Sequence, residues 1–189
     1  LSYSYLHLSK KNFNKGFNYF DARLETNEFQ KKNKYHYNII KTLNTNSEFG
    51  IKKKILIVRE QGVGDEILFS SMYNNLIKNN FSKVKIECDK RLLEIFNRSF
   101  NKNIFYPFGQ YSSSNKTLQE FDNILYAGSL TKYFRNKESD FDIKPFIKTS
   151  DKLDKKFNLI LKKFNDKKKI GVSWKSVFNI FGSLKSLEL

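Results

Sequence analysis

A chain of 189 residues, 39% apolar and 16% aromatic, can hold one packed domain with pieces of others. It has no apolar run near the ~18 residues of a membrane span and no secretory signal, and its single cysteine, Cys88, excludes an internal disulfide and fits a reducing, cytoplasmic setting. The formal charge of +16 raises nucleic acid as a partner, but the lysines are dispersed among Asn, Ile and Phe and arginine is scarce, so no specific nucleic-acid contact and at most peripheral membrane association are expected. His7 and His36 lie far apart with no cysteine near them, which leaves no metal site.

Residues 1–47 read as helical. "LSYSYLHLSKKNFNKGFNYFDARLE" sets Leu6, Phe13, Phe17, Phe20 and Leu24 at mostly helical spacing, and Gly16 predicts a break between two short amphipathic helices. A hairpin this small cannot bury its own face and needs neighbours, as helical repeat units do. "TNSEFG" (45–50) is a polar linker.

Residues 48–168 alternate strands and helices. "KILIVRE" is a continuous apolar strand of the kind buried on both faces of a parallel sheet. "DEILFSSMYNNLIKNN" predicts one helix with Ile67, Leu68, Met72, Leu76 and Ile77 on its buried face. "KVKIECD", "KRLLEIFNRSF" and "NIFYPFG" read as strand, helix and short strand, with Cys88 a buried strand residue. "FDNILYAGSL" is a fourth strand running into a Gly-Ser turn, and "SDKLDKKFNLILKKFNDKK" a helix capped by Ser150 or Asp151. Residues 169–189, from "KIGVSWKS", start a new unit with a strand and its loop. The alternation predicts an α/β, Rossmann-like parallel sheet with right-handed crossovers. Leu1 stands where a translated chain carries Met, and the last unit stops soon after it starts, so the sequence reads as a fragment.

Ligands of such sheets sit beyond the carboxyl ends of the strands, which makes the Glu60–Glu66 loop the prime candidate site. Gly62 and Gly64 are expected to turn the backbone at positive φ and to admit a ligand closely. The dinucleotide pattern starts at Gly62-x-Gly64, and Glu87 or Asp89 stands where a ribose-binding acid would be. Its third glycine is replaced by Ile67, and Glu60, Asp65 and Glu66 would repel a pyrophosphate. The Walker pattern is absent. Asp65, in the first turn of a helix, fits two roles: a cap on backbone N–H groups, or a general base aimed into a cleft. One oxygen could serve each role, and spacing alone leaves both open.

The stretch "ILIVREQGVGDEILFSSMYNNLI" resembles the first strand–loop–helix of bacterial glycosyltransferases that carry tetratricopeptide repeats, a group similar to the lipopolysaccharide heptosyltransferases with their two-domain GT-B fold. "LSKKNFNKGFNYFDARLE" resembles the last repeat before the catalytic part: Gly16, Phe17, Phe20, Arg23 and Leu24 fit its pattern, with Tyr19 one place off. "AGSLTKYFRNKESDF" is similar to the Gly-Ser-Leu segment near the end of the first domain, and "KIGVSWKS…GSLKSLEL" to the first strand and loop of the second, although "SVFNIFGSLKS" lacks the His, Asn or Asp often seen there.

The resemblance implies a TPR-like hairpin and linker (1–47), an acceptor-side Rossmann-like domain (48–168) and the start of a donor-binding domain (169–189). It implies transfer of a sugar from a nucleotide sugar to a hydroxyl of a glycan or protein, inverting, without a catalytic metal and with no cofactor besides the nucleotide-sugar donor. A protein partner would bind through upstream repeats. Asp65 matches the family's catalytic base. Glu60, Gln61, Gly62, Gly64, Gly128 and Ser129 would line the acceptor side, although Glu60 and Gln61 equally fit a bracing role and Gly128-Ser129 an ordinary turn. Lys185 matches a lysine that meets the donor phosphate, and Ser173 and Lys175 would line the same cleft. Without a complete second domain these residues alone are expected to turn over little or nothing. A repeat-bearing binding module on an inert α/β scaffold and a dinucleotide-dependent oxidoreductase are the alternatives.

Overall fold

The computed structural model describes residues 1–31, 53–79, 81–100, 102–113, 115–141 and 144–172. The chain divides into two compact units, Leu1–Thr149 and Ser150–Leu189.

The first unit is built on strands β1 (Lys54–Val58), β2 (Lys83–Cys88), β3 (Phe105–Pro107) and β4 (Asn123–Tyr126). They form one parallel sheet in the order β3-β2-β1-β4, an α/β arrangement compatible with a Rossmann-like fold. Strand order reverses between β1 and β4, so the loops leaving the carboxyl ends of these two strands face each other across the crevice where such sheets bind ligands.

With a period of two, the apolar run Ile55–Val58 serves both faces of the sheet. Ile55 and Ile57 pack to one side with Ile86, Cys88, Tyr73, Leu76 and Phe96, and Leu56 and Val58 to the other with Phe29, Leu118, Phe121 and Ile124. All four of these residues, Ile55–Val58, are fully buried, as the continuous apolar run predicts, and Lys54 at the start of the strand is exposed.

The helix expected after β1 is two helices, α4 (Val63–Ser70) and α5 (Tyr73–Lys78), separated at Ser71–Met72. The buried face also differs from the expected one. Met72 and Leu76 are inside, but Ile67 and Leu68 are 38% and 66% exposed, while Glu66, Phe69 and Ser70 are buried. Phe69, Met72, Tyr73 and Leu76 recur at helical spacing and pack in the core beside the sheet, which carries Glu66 inward to its ion pair with Arg59. Helix α6 (Leu93–Phe100) sets Phe96 and Phe100 against Tyr73 and Phe105 in a cluster of tilted and edge-on rings. Short helices α7 (Asn115–Leu118) and α8 (Thr131–Phe134) flank β4 and the 3-10 turn Ala127–Leu130.

Ahead of the sheet run α1 (Ser2–Ser9), α2 (Phe13–Asn18), the 3-10 turn Phe20–Glu25 and α3, residues 27–31 of which are described. The break between α1 and α2 falls at Lys11, which takes a left-handed φ of 56°, and not at Gly16. Gly16 is inside α2 and is instead the point of closest approach. Ser4 Oγ donates to its carbonyl at 2.7 Å, and a Cβ there would lie 2.6 Å from Leu8 Cγ. The pair is fixed to the segment after β4 by Lys11–Glu138 (2.7 Å), Asn14–Asn136 (3.0 Å) and the Phe13–Phe141 rings.

The second unit contains α9 (Asp151–Leu161) and the 3-10 turn Lys162–Phe164. Ser150 holds the N-cap position without a side-chain cap bond, while Asp151 and Asp154 complement the helix dipole in the first turn. Residues 169–172 form no strand, and the rest of the strand and loop expected from Lys169 lies outside the described residues, as does the linker at 45–50. Among the described residues no helix is long and apolar enough to cross a membrane.

Candidate functional site

Among the described residues three carboxylates, Glu60, Glu66 and Glu87, are buried near the carboxyl ends of β1 and β2. Glu60, just beyond β1, is buried and its two oxygens meet the fork of Arg23: Nε donates to Oε2 at 2.9 Å and Nη2 to Oε1 at 2.7 Å. The N–H of Gly128, just after β4, donates to the same Oε1. Arg23 comes from the 3-10 turn before the sheet, so the N-terminal segment enters the crevice between β1 and β4.

Further polar groups surround this pair. Asp21 Oδ1 accepts from Arg23 Nη1 at 2.9 Å and from Ser129 Oγ at 2.6 Å, and Asp21 Oδ2 accepts from Lys132 Nζ at 2.7 Å. Burial works against every charge here. It would lower the Arg23 pKa, but Glu60 and Asp21 outweigh it and hold the guanidinium above its ordinary value. It would raise Asp21, but Lys132, Ser129 and Arg23 pull that carboxyl below its ordinary 3.8. Burial likewise opposes the Lys132 charge, and Asp21 brings its pKa above 10.5.

On the β2 side, Glu66 from α4 is buried against Arg59 (Nε–Oε1 2.7 Å) and accepts the Asp89 N–H at 2.8 Å. Burial nevertheless leaves its pKa above the ordinary carboxyl value. Asp89 is gripped by the fork of Arg91 at 2.8 and 2.9 Å, which pushes it far below the usual range. Glu87 is fully buried and accepts the N–H groups of Tyr111 and Ser112 and the Ser112 hydroxyl. The two acids that stood where a ribose would be read are thus engaged by protein groups. Burial and the neighbouring carboxylates push the Cys88 thiol up to about 12, so it is an inert core residue.

Between these networks the loop 61–65 is open. Gln61 is exposed and takes a left-handed φ of 61°, and its carbonyl accepts from Arg59 Nη2 at 3.1 Å. The turn therefore falls on Gln61 and not on the glycines: Gly62 is extended (φ −96°), and Gly64 is inside α4 with no positive φ. A Cβ at Gly64 would meet nothing within 4 Å, which leaves open space over the first turn of α4. Asp65 accepts the Gly62 N–H at 3.0 Å through Oδ2, as an N-terminal cap. Among the described residues its Oδ1 has no hydrogen-bond partner, and the side chain is half-buried.

Two groups of sequence-identified residues emerge. Gln61, Gly62, Gly64 and Asp65 form the open loop. Glu60, Gly128 and Ser129 lie behind it, buried and bonded internally, so bracing is the role their contacts fit. Ser173, Lys175 and Lys185 lie outside the described residues. Sequence reasoning assigned no site role to Arg23, Asp21, Arg59 or Lys132. The available signal was an Arg two residues after an Asp in a segment of uncharged aromatics, and an acid too many in the glycine loop. Among the described residues no group of three or more His, Cys, Asp or Glu is placed to hold a metal ion.

Two substitutions separate the glycines. A Cβ at Gly128 would lie 2.6 Å from Glu60 Oε1, 2.8 Å from Arg23 Nη2 and 3.0 Å from Phe69 Cζ. Gly128→Ala should therefore cost about 1–3 kcal/mol by overpacking the ion pair, whereas Gly64→Ala, in a helix with free space, should gain up to ~1 kcal/mol. Urea midpoints moving in opposite directions would show it; equal shifts would contradict the packing around Glu60.

The Asp21–Lys132 pair sets a pH window. Because Asp21 is lowered, its contribution is full above 3.8 and is lost as pH falls toward its native pKa; because Lys132 is raised, its contribution is full below 10.5 and is lost as pH rises through its native pKa. The stability difference between the wild type and Asp21→Asn should be flat through neutral pH and shrink beyond both limits. A difference independent of pH, read by urea unfolding, would contradict the pairing.

No family model matches the chain, and neither a curated protein nor a solved structure matches it.

Proposed function

We propose that this chain carries the acceptor-side α/β part of a GT-B-type glycosyltransferase, with Asp65 as the base and the α1–α2 pair as a tetratricopeptide-like repeat ahead of it. The observation that carries the reading is the division of labour at Asp65: one oxygen is tied to the Gly62 N–H and the other, among the described residues, is unengaged in an open loop at the carboxyl edge of a parallel sheet. A carboxylate fixed by one atom and open at the other suits general-base work, because its orientation is set before substrate arrives.

In the proposed reaction Oδ1 of Asp65 takes the proton of an acceptor hydroxyl. The hydroxyl oxygen bonds to the anomeric carbon, and the bond to the nucleoside diphosphate breaks with its electron pair on the leaving phosphate, inverting the centre. Gln61 and the open surface over Gly64 would receive the acceptor sugar, while Glu60, Gly128 and Ser129 brace the loop. The leaving diphosphate would be met by Ser173, Lys175 and Lys185 on the donor side.

The test is acceptor-dependent release of nucleoside diphosphate from a nucleotide sugar by the full-length protein. Sugar transfer to a hydroxyl acceptor supports the reading. Binding of a nicotinamide or flavin dinucleotide to residues 1–189, or no affinity of the full-length protein for any nucleotide sugar, overturns it.

A further inference from the structure

We propose that Arg23 is a positioning residue for the Gln61–Asp65 loop, so that the N-terminal segment is a working part of the site and not a separate appendage. The consequence for turnover rests on the transferase reading; the positioning itself does not. A guanidinium has five N–H donors, and all those of Arg23 are placed. Nε and one Nη2 hydrogen go to Glu60, the other Nη2 hydrogen goes to Ser129 Oγ at 3.2 Å, and Nη1 donates to Asp21 Oδ1 and to the Phe20 carbonyl at 3.2 Å. The Phe20 ring lies against the same guanidinium, 4.3 Å from its carbon. Arg23 is therefore held from its own segment as well as by Glu60 and Ser129, and so ties the Glu60 carboxylate to the N-terminal segment.

Glu60 is the residue immediately before the left-handed Gln61. Left-handed backbone at a residue with a side chain persists only where its surroundings enforce it. Here two arginines do so from opposite sides. Arg23 holds the Glu60 carboxylate against the Gly128 N–H, and Arg59 holds the Gln61 carbonyl while paired to Glu66. Gly62 comes next in the chain, and its N–H orients Asp65. The chain of contacts Arg23–Glu60–Gln61–Gly62–Asp65 thus runs from the helical segment to the Asp65 carboxylate. The Arg23 charge is matched by Glu60 and Asp21, so it acts on the loop through geometry and not through its field.

The experiment is backbone 15N relaxation on residues 1–189 of the wild type, Arg23→Lys and Glu60→Gln, at conditions where urea unfolding shows each fully folded. Lysine keeps the charge but loses the planar fork; glutamine keeps one acceptor for it. Both variants should lower the order of Gln61, Gly62 and Gly64 while Ile57 and Ile86 in the sheet stay unchanged. In the full-length protein Arg23→Lys should lower kcat by about 10- to 100-fold with the donor KM unchanged. A loop as ordered in both variants as in the wild type overturns the proposal, whatever the activity. A loosened loop in a full-length protein without transferase activity sustains the positioning and sinks only the transferase reading.

Discussion

Replacing Arg23 by methionine should lower the unfolding free energy by about 3–5 kcal/mol, the cost of leaving a buried carboxylate without its partner. The Glu60 side chain is fully shielded from solvent and that of Arg23 is 5% exposed, so no water replaces the lost fork. Asp21 and Ser129 lose a donor at the same time, while Lys132 stays on Asp21. For a unit of this size the loss corresponds to a fall in Tm of roughly 10 °C. The double variant Arg23→Met/Glu60→Leu is the informative companion. Removing both charges should recover most of the loss, because a buried ion pair is worth little against apolar groups of similar volume. Recovery should stay incomplete, since the Gly128 N–H then lacks its acceptor. Urea unfolding reads both. A single-variant cost under ~1 kcal/mol, or a double variant no better than the single, would contradict a desolvated pair.

The strands were readable because their signals are local. Ile55–Val58 are apolar at every position, and a strand buried on both faces requires that; the parallel sheet came from the alternation with helices. The rotation of α4 was not readable, because Ile67-Leu68 and Phe69-Ser70 offer helical faces of similar spacing. What distinguishes them is the core packing of Phe69 with Met72, Tyr73 and Leu76, a tertiary contact that also brings Glu66 inside against Arg59. The position of the tight turn was misjudged for a related reason. Two glycines normally mark positive φ, but here it falls on Gln61, whose carbonyl Arg59 holds, while Gly62 is extended and Gly64 helical.

The site divided in the same way. The cap role of Asp65 is legible from its place in the first helical turn after the glycines, and Oδ2 accepts the Gly62 N–H as that place allows. Glu60, Gly128 and Ser129 could be grouped at the carboxyl edge of the sheet from the strands they follow. That Glu60 and Ser129 share Arg23, 37 residues before Glu60, as a partner is a long-range pairing with no local pattern. The obligation on Gly128 is visible only in three dimensions: the ion pair occupies the space of its missing Cβ.

The second large effect falls on Asp65, where the cap and the proposed base are separable by one atom. Asparagine presents an oxygen of the same shape to the Gly62 N–H, so the cap survives and stability should change by less than ~0.5 kcal/mol. The other position becomes an amide, which cannot accept a proton. Asp65→Ala removes both functions and should cost about 1 kcal/mol of stability besides the activity. The most direct measurement is therefore the single-turnover rate of sugar transfer by the full-length protein, wild type against Asp65→Asn, at saturating donor and acceptor and equal folded fraction. The expected rate for Asp65→Asn is lower by about 100-fold or more, with substrate binding little changed. Transfer by Asp65→Asn at the wild-type rate would leave Asp65 as a helix cap and contradict its role as the base.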